Sequence, residues 1–442
     1  MGNFRLATTP TPRFGDDGRP ASNALVRRVG LIPIIHVIVG VVMVLLVITS
    51  TTQEGDPGVL FAIVNHGTGL VAYRDYPVEY PPLGFAALRL PLLLGGTSAP
   101  TYQTVFSLVS VLLALATAAC VYWLARHRWG AENPARSVVL YAGLALAAAP
   151  LVVWRFDILP AFLTAIALVA YAARRPGFSG LALGLGIVAK VYPAFLVPVF
   201  ACAKLFERLW RDAAVLVLAA GIAVAAVLGE VYLVAGSRVF YFLVYQRNRG
   251  VEIESVAGGL AMLAGSLGQV PAKVVVEFGS MQVDSVLLTS LAGPVFALEV
   301  ISGVALVAAM LFSFRRDVGE MGAVQPMTIV QYSLATLLLV MLANKVLSPQ
   351  YVVWVLPFVP LLGVRKSVLF LVIVVLTTVE YPLSFRSLVH LEAVPVIVVN
   401  IRNALLVAFF VWIVIPRRVT AWAALASGVA GLKRGYVRDP AD

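Results

Sequence analysis

Apolar residues in this chain come in long unbroken runs, and the polar residues gather in short segments between them. Many of the runs approach the roughly 20 residues that a helix needs to cross a bilayer. The pattern predicts helical spans at about 32–50, 102–125, 137–153 and 158–173. Later spans follow at about 213–235, 285–312, 326–343, 350–363, 367–383 and 394–415. Residues 178–203 form one apolar stretch interrupted by Lys190, Tyr192 and Pro193, read as two short crossings with Lys190 at the turn. Residues 84–95 are too short to cross and carry Arg89 and Pro91, so they are expected at the interface or as a re-entrant segment. The fold class expected is an all-α polytopic membrane protein of about twelve crossings, with a long first loop on the outer side. A tail over 1–30 and another over 417–442 flank the transmembrane domain at 31–416, both tails expected in the cytoplasm.

Composition agrees with the pattern: 60% of the 442 residues are hydrophobic and only 12% charged, against roughly 25% charged in a soluble domain. The net charge of +11 does not point to nucleic acid. The basic residues are dispersed in clusters such as Arg126, His127 and Arg128, or Lys204 to Asp212 (KLFERLWRD), between apolar runs. This is the distribution of cytoplasmic loops in a membrane protein. Cys120 and Cys202 lie in separate apolar runs at no metal-binding spacing. No P-loop, H-E-x-x-H or G-x-S-x-G is present. The glycines of GLALGLGIVAK (180–190) sit in an apolar helix with no strand before it, so they read as close-packing positions and not as a nucleotide loop.

One stretch departs from the apolar pattern. Residues 54–82, EGDPGVLFAIVNHGTGLVAYRDYPVEYPP, hold four carboxylates, His66, Arg74 and three tyrosines, stiffened by Pro77, Pro81 and Pro82. Ionisable groups beside apolar runs are costly and mark function by default. Those expected on the outer face are Asp56, Asp75, Glu79, Arg155, Asp157, Lys190, Arg247, Arg249, Glu252, Glu254, Lys345 and Arg386. Carboxylates can take a proton from an acceptor hydroxyl, and cations can hold a phosphate leaving group. Each also has a structural reading: Asp56 as a helix cap, Asp75 paired with Arg74 or Arg155, Glu79 as a turn anchor, Arg155 and Asp157 satisfying one another. Lys190 between two half-helices needs an anionic partner, for which a phosphate is one choice. A transporter or lipid flippase is the competing class, since broken helices around a central charge also suit transport.

Several stretches together resemble glycosyltransferase family 87: Asp56 after the first span, AYRDYPVEYPPLG (72–84), WRFDILPA (154–161), GLALGLGIVAKVYPAFLVP (180–198), YQRNRGVEIES (245–255) and NKVLSPQYVVWVLP (344–357). These are integral-membrane enzymes of the GT-C class that use polyprenyl-phosphate sugars. The resemblance implies a GT-C helical bundle in the plasma membrane, both termini cytoplasmic, with residues 51–100 forming a catalytic loop on the periplasmic side. It implies inverting transfer of a sugar, mannose by family default, from a polyprenyl-phosphate donor to a lipid or glycan acceptor. Asp56 then matches the general base, with Asp75 its rival. Glu79, Arg155, Asp157, Lys190, Arg247, Arg249, Lys345, Gln350 and Tyr351 would surround the substrates. No metal or other cofactor is required if protein cations neutralise the leaving phosphate. Some relatives carry histidines shortly after the Ser-Pro of the late loop, where this chain has Gln350 and Tyr351.

Overall fold

The computed structural model describes residue 40 and residues 56–65 and 69–415, with the side chains of residues 56 and 57 left out. Apart from residue 40, the first expected span therefore lies outside the described residues, as do both expected tails and His66. The chain is overwhelmingly helical, as the apolar periodicity requires. In order the first helices are α1 (Asp56–Val64), α2 (Pro82–Leu93), α3 (Ala99–Arg126), α4 (Pro134–Ala147), α5 (Ala149–Val153) and α6 (Ile158–Ala172). There follow α7 (Pro176–Ala189), α8 (Leu196–Phe206), α9 (Trp210–Ala235), α10 (Tyr241–Asn248) and α11 (Val256–Ser266). A hairpin of β1 (Lys273–Glu277) and β2 (Ser280–Asp284) precedes α12 (Val286–Met321), α13 (Pro326–Leu342), α14 (Val352–Val355), α15 (Val364–Thr378), α16 (Phe385–Val389) and α17 (Ala393–Val414).

Local chemistry sets the boundaries. Ser98 and Thr101 form a reciprocal capping box at the start of α3, and Asn133 accepts from the Arg136 N–H to open α4, with Pro134 at its first position. Ser255 does the same for Gly258 at α11. Gly322, in the left-handed region, closes α12. Among the described residues, five helical segments are long and apolar enough to cross a membrane: Ala99–Arg126, Trp210–Asn248, Val286–Met321, Val364–Leu383 and Ala393–Val414. Large apolar side chains on all five stay bare, including Leu112, Leu218, Ile222, Phe296, Val368 and Val394. Lipid is the medium that suits such a surface.

Shorter apolar helices fill in between, and two expectations change there. The span expected at 350–363 is instead a 3₁₀ turn (Pro349–Tyr351), the four-residue α14 and a second 3₁₀ turn (Val359–Leu362). Pro349, Pro357, Pro360 and Gly363 interrupt it, and prolines withhold N–H groups from a helix ladder. Residues 351–363 are buried in the core, where protein partners and not lipid surround irregular backbone. The stretch at 178–203 divides as expected. Lys190 has extended backbone (φ −159°, ψ 134°) between α7 and the turn Tyr192–Phe195. Neither α7 (14 residues) nor α8 (11 residues) reaches the roughly 20 residues of a full crossing.

The glycines of α7 act as close-packing positions. A Cβ on Gly180 would lie 2.1 Å from the Leu216 carbonyl oxygen of α9, and one on Gly184 would lie 2.5 Å from that of Ala220. Gly84 of α2 comes as near to the Ala189 carbonyl, 2.4 Å. The Gly84 contact brings the first turn of α2, just after the YPP element, against the end of α7, next to Lys190.

The β-hairpin was not expected from the sequence. Lys273 pairs with Asp284 and Glu277 with Ser280, so two residues, Phe278 and Gly279, make the turn. Both have positive φ (48° and 61°), as a tight hairpin turn matching strand twist requires.

Candidate functional site

A cavity of about 590 Å³ opens where the five quoted stretches from residue 72 onward meet. The loop before α2 contributes Glu79 and Tyr80. The 154–157 corner contributes Arg155 and Phe156, and the break after α7 contributes Lys190, Tyr192 and Phe195. The end of α10 and the following loop supply Tyr245, Arg249, Glu252 and Glu254. The late loop supplies Asn344, Ser348, Gln350, Tyr351 and Trp354. Glu79 and Trp354, 275 positions apart in sequence (354 − 79), thus share one cavity, which only tertiary packing achieves.

Lys190 is the most constrained cation. Its Nζ lies 2.5 Å from Asp157 Oδ1, and the Trp354 indole N–H donates to the same oxygen at 2.6 Å. The rings of Phe156, Tyr351 and Trp354 surround the ammonium at 5.0, 5.2 and 5.4 Å. Tyr192 and Tyr351 both stack on the Trp354 ring, with centroids 4.1 and 3.8 Å from its own. Asp157 is 1% exposed, and Lys190 and the Trp354 indole both meet its charge there. The Arg155 guanidinium lies over the Tyr381 ring at 5.1 Å.

The loop after α10 carries the opposite sign. Glu252 Oε1 accepts from Arg249 at 3.1 Å and from Ser348 at 3.0 Å. Glu254 is buried beside it. Burial pushes the Glu252 carboxyl above its ordinary value, with Arg249 opposing the shift. Burial pushes Glu254 much further up, helped by the charges of Glu252 and Glu380. Beneath them lies a fully buried pair, Arg402 and Glu380 at 2.9 Å, and Arg402 also donates to the Glu254 carbonyl at 3.0 Å. An isolated charge inside the protein would be very costly, so the pairing is what makes these residues tolerable there. Sequence reading left Glu380 and Arg402 unassigned, although each is a charge inside an apolar run, the signal that had singled out the others. Nothing in the sequence pattern pointed to Tyr381, Phe385 or the hairpin tip at Phe278 and Gly279, which also line the cavity.

The remaining expected residues divide. Arg249, Glu79, Gln350 and Tyr351 line the cavity. Arg247 is exposed outside it, and its carbonyl accepts from Lys345 Nζ at 2.8 Å, so these two tie the end of α10 to the late loop. Asp75 lines a separate, smaller cavity. There it accepts from Arg74 on both oxygens at 2.9 Å and from the Val71 N–H at 2.7 Å. The side chain of Asp56 lies outside the described residues. Its backbone opens α1, whose Val59 lines the main cavity. Among the described residues, no group of three or more His, Cys, Asp or Glu could hold a metal ion.

The arrangement offers three cationic side chains (Arg155, Lys190 and Arg249), carboxylates nearby, and an aromatic wall leading to apolar side chains such as Val59, Phe195 and Val340. The sequence model of Glycosyltransferase family 87 matches residues 79–349, more than half of the chain, a span that holds three of the cavity's five stretches whole and part of the other two. The chain belongs to glycosyltransferase family 87. It is therefore a membrane glycosyltransferase, and Asp56 and Asp75 both precede the matched segment. No curated protein matches the chain. Among solved structures, this family 87 chain is similar to ArnT from Cupriavidus metallidurans, crystallised in the apo state, with 15% identity and a TM-score of 0.41 over 94% of this chain and 81% of that one.

Proposed function

We propose that the protein moves a sugar, mannose by family default, from a polyprenyl-phosphate donor to a lipid or glycan acceptor at the periplasmic face of the plasma membrane. The observation that carries this reading is the juxtaposition in one cavity of Arg155, Lys190 and Arg249 with Glu79, Glu252 and Glu254, at the end of an apolar wall. A lipid phosphate needs cations at its head and apolar surface along its chain, and a reacting sugar needs hydrogen-bonding groups beside both.

The chemistry is an inverting displacement. Asp56 accepts the proton of the acceptor hydroxyl, and the hydroxyl oxygen forms a bond to the anomeric carbon. The bond from that carbon to the phosphate oxygen breaks, and the electron pair leaves with the polyprenyl phosphate. Arg155 and Arg249 neutralise the departing charge, and the Lys190 ammonium, fixed by Asp157, adds a positive field without having to reorganise. α1 supports Asp56 in this role, because it begins at that residue and reaches the cavity wall one turn later at Val59.

The test uses purified protein in nanodiscs with radiolabelled polyprenyl-phosphate-mannose and a lipid extract of the source membrane. Wild type should yield labelled product. Asp56→Ala should lose on the order of 10²–10⁴-fold in rate, the usual contribution of a general base, with donor binding retained. Full activity in that variant would remove Asp56 from the mechanism, and no transfer from any lipid-phosphate sugar by wild type would remove the donor class.

A further inference from the structure

A second cavity, of about 330 Å³, lies between the loop before α2 and the segment leading into α10. Its walls are Tyr73, Asp75, Tyr76 and Pro77 on one side and Ser237, Arg238, Phe240, Tyr241 and Val244 on the other. The same two pieces of chain line the main cavity a few residues further on, with Glu79 and Tyr80 from the loop and Leu243 and Tyr245 from α10. The two cavities are therefore neighbours that share a loop and a helix.

The lining has a particular chemistry. Aromatic rings dominate it, and its charged groups are one carboxylate and one guanidinium, beside the hydroxyls of Ser237 and of three tyrosines. A pyranose has the matching character, with an apolar C–H face that stacks on rings and a rim of hydroxyls that needs both acceptors and donors. Asp75 accepts three hydrogen bonds from its neighbours, two from Arg74 and one from the Val71 N–H. A carboxylate has about four lone-pair sites, so one remains for a hydroxyl donor. Arg238 gives one N–H to the Arg74 carbonyl and has five to give. That bond also clamps the loop to the segment before α10, so the walls are held at a set spacing. Asp75, Ser237 and Arg238 are exposed, which leaves them open to a ligand arriving from the aqueous side. A phosphate is not the natural occupant, because the carboxylate would face it.

Resting on the reading of the main cavity as the sugar-transfer site, we infer that this second cavity binds a sugar residue of the acceptor glycan, one unit removed from the hydroxyl being glycosylated. Asp75 is then a specificity-determining residue for the acceptor and not a base. The acceptor class follows: a glycan or glycolipid that already carries at least two sugars.

The test compares octyl α-mannoside with octyl α-mannobioside as acceptors, using the full chain in nanodiscs and polyprenyl-phosphate-mannose as donor. Wild type should show a KM for the disaccharide at least tenfold below that for the monosaccharide. Arg238→Ala and Tyr241→Ala should each raise the disaccharide KM at least tenfold, to the monosaccharide level, with kcat within twofold and the monosaccharide KM unchanged. Tyr241→Ala removes ring surface while leaving the Arg238 clamp in place, so it separates sugar contact from loop anchoring. Binding of free mannobiose is measured alongside by saturation-transfer NMR with no donor present. Binding by wild type that both variants abolish supports the second site even if no sugar is transferred, an outcome that would overturn the transfer reading alone. Equal KM values for the two acceptors in wild type, or variants that lower kcat for both alike, would overturn the inference. So would mannobiose binding that neither substitution weakens, or none by wild type.

Discussion

At the scale of single residues, what separates Asp75 from Asp157 is their partners. Both stood out in the sequence as carboxylates at the margin of apolar runs. The structure gives Asp157 a buried lysine and an indole, and gives Asp75 a guanidinium and a backbone N–H in a neighbouring cavity. The Arg74 hydrogen bonds first, and then the Val71 N–H, hold the Asp75 carboxyl down at about 2, from an ordinary 3.8. A depressed carboxyl contributes stability that is present above its unfolded value and is lost as the pH falls through the folded one. The melting temperatures of wild type and Asp75→Asn should therefore differ by a constant amount above about pH 4 and converge as the pH approaches 2. A gap unchanged down to pH 2, measured by thermal unfolding in detergent, would mean that the carboxylate charge is not what the loop uses.

At the scale of elements, the informative contact is that between α7 and α9. It is made by glycines and alanines whose backbones approach closely, which in lipid replaces the hydrophobic drive available in water. Gly184→Val would place side-chain atoms where Ala220 and Ala223 already sit at 2.5 and 2.7 Å from an added Cβ. Overpacking of this kind costs roughly 1–3 kcal/mol, and because α7 ends at Lys190 the shift should also lower transfer activity. Gly221 on α9 has nothing within 4 Å of an added Cβ, so Gly221→Ala should leave the melting temperature unchanged or slightly higher. A thermal-shift comparison of the two variants checks both signs, and a neutral Gly184→Val would show that the helices are less closely engaged than drawn.

At the scale of the whole molecule, Asp157 and Lys190 join the start of α6, the break after α7 and, through Trp354, the buried late segment at α14. Removing one partner of a buried pair leaves the other charge uncompensated, which typically costs about 3–5 kcal/mol. Asp157→Asn should destabilise the protein on that scale and disturb the cavity wall. The double change Asp157→Asn with Lys190→Met should recover a large part of the loss. Unfolding of the four proteins of this double-mutant cycle measures the coupling, and additive effects would mean that the two residues do not act as a pair.

The sequence by itself determined the solvent in which this protein folds, the positions of most helices and the polar stretches that meet at the main cavity. The physical reason is that lipid admits little but apolar helix, so run length, glycine, proline and charge clusters report helix positions directly. The break at Lys190 and the glycine packing of α7 were legible in this way. Tertiary structure alone decided which charges meet. Asp157 and Lys190 are 33 positions apart, and Glu252 and Ser348 are 96 apart. No periodicity records such pairings, because each is set by how helices cross and not by local spacing. The same limit hid the β-hairpin, whose short strands give weak signals, and the buried late segment, whose apolar run looks like a span until its prolines are seen packed against protein. It also concealed the separation of Asp75 from the main cavity, since nineteen positions of sequence between two aspartates say nothing about which wall each one faces.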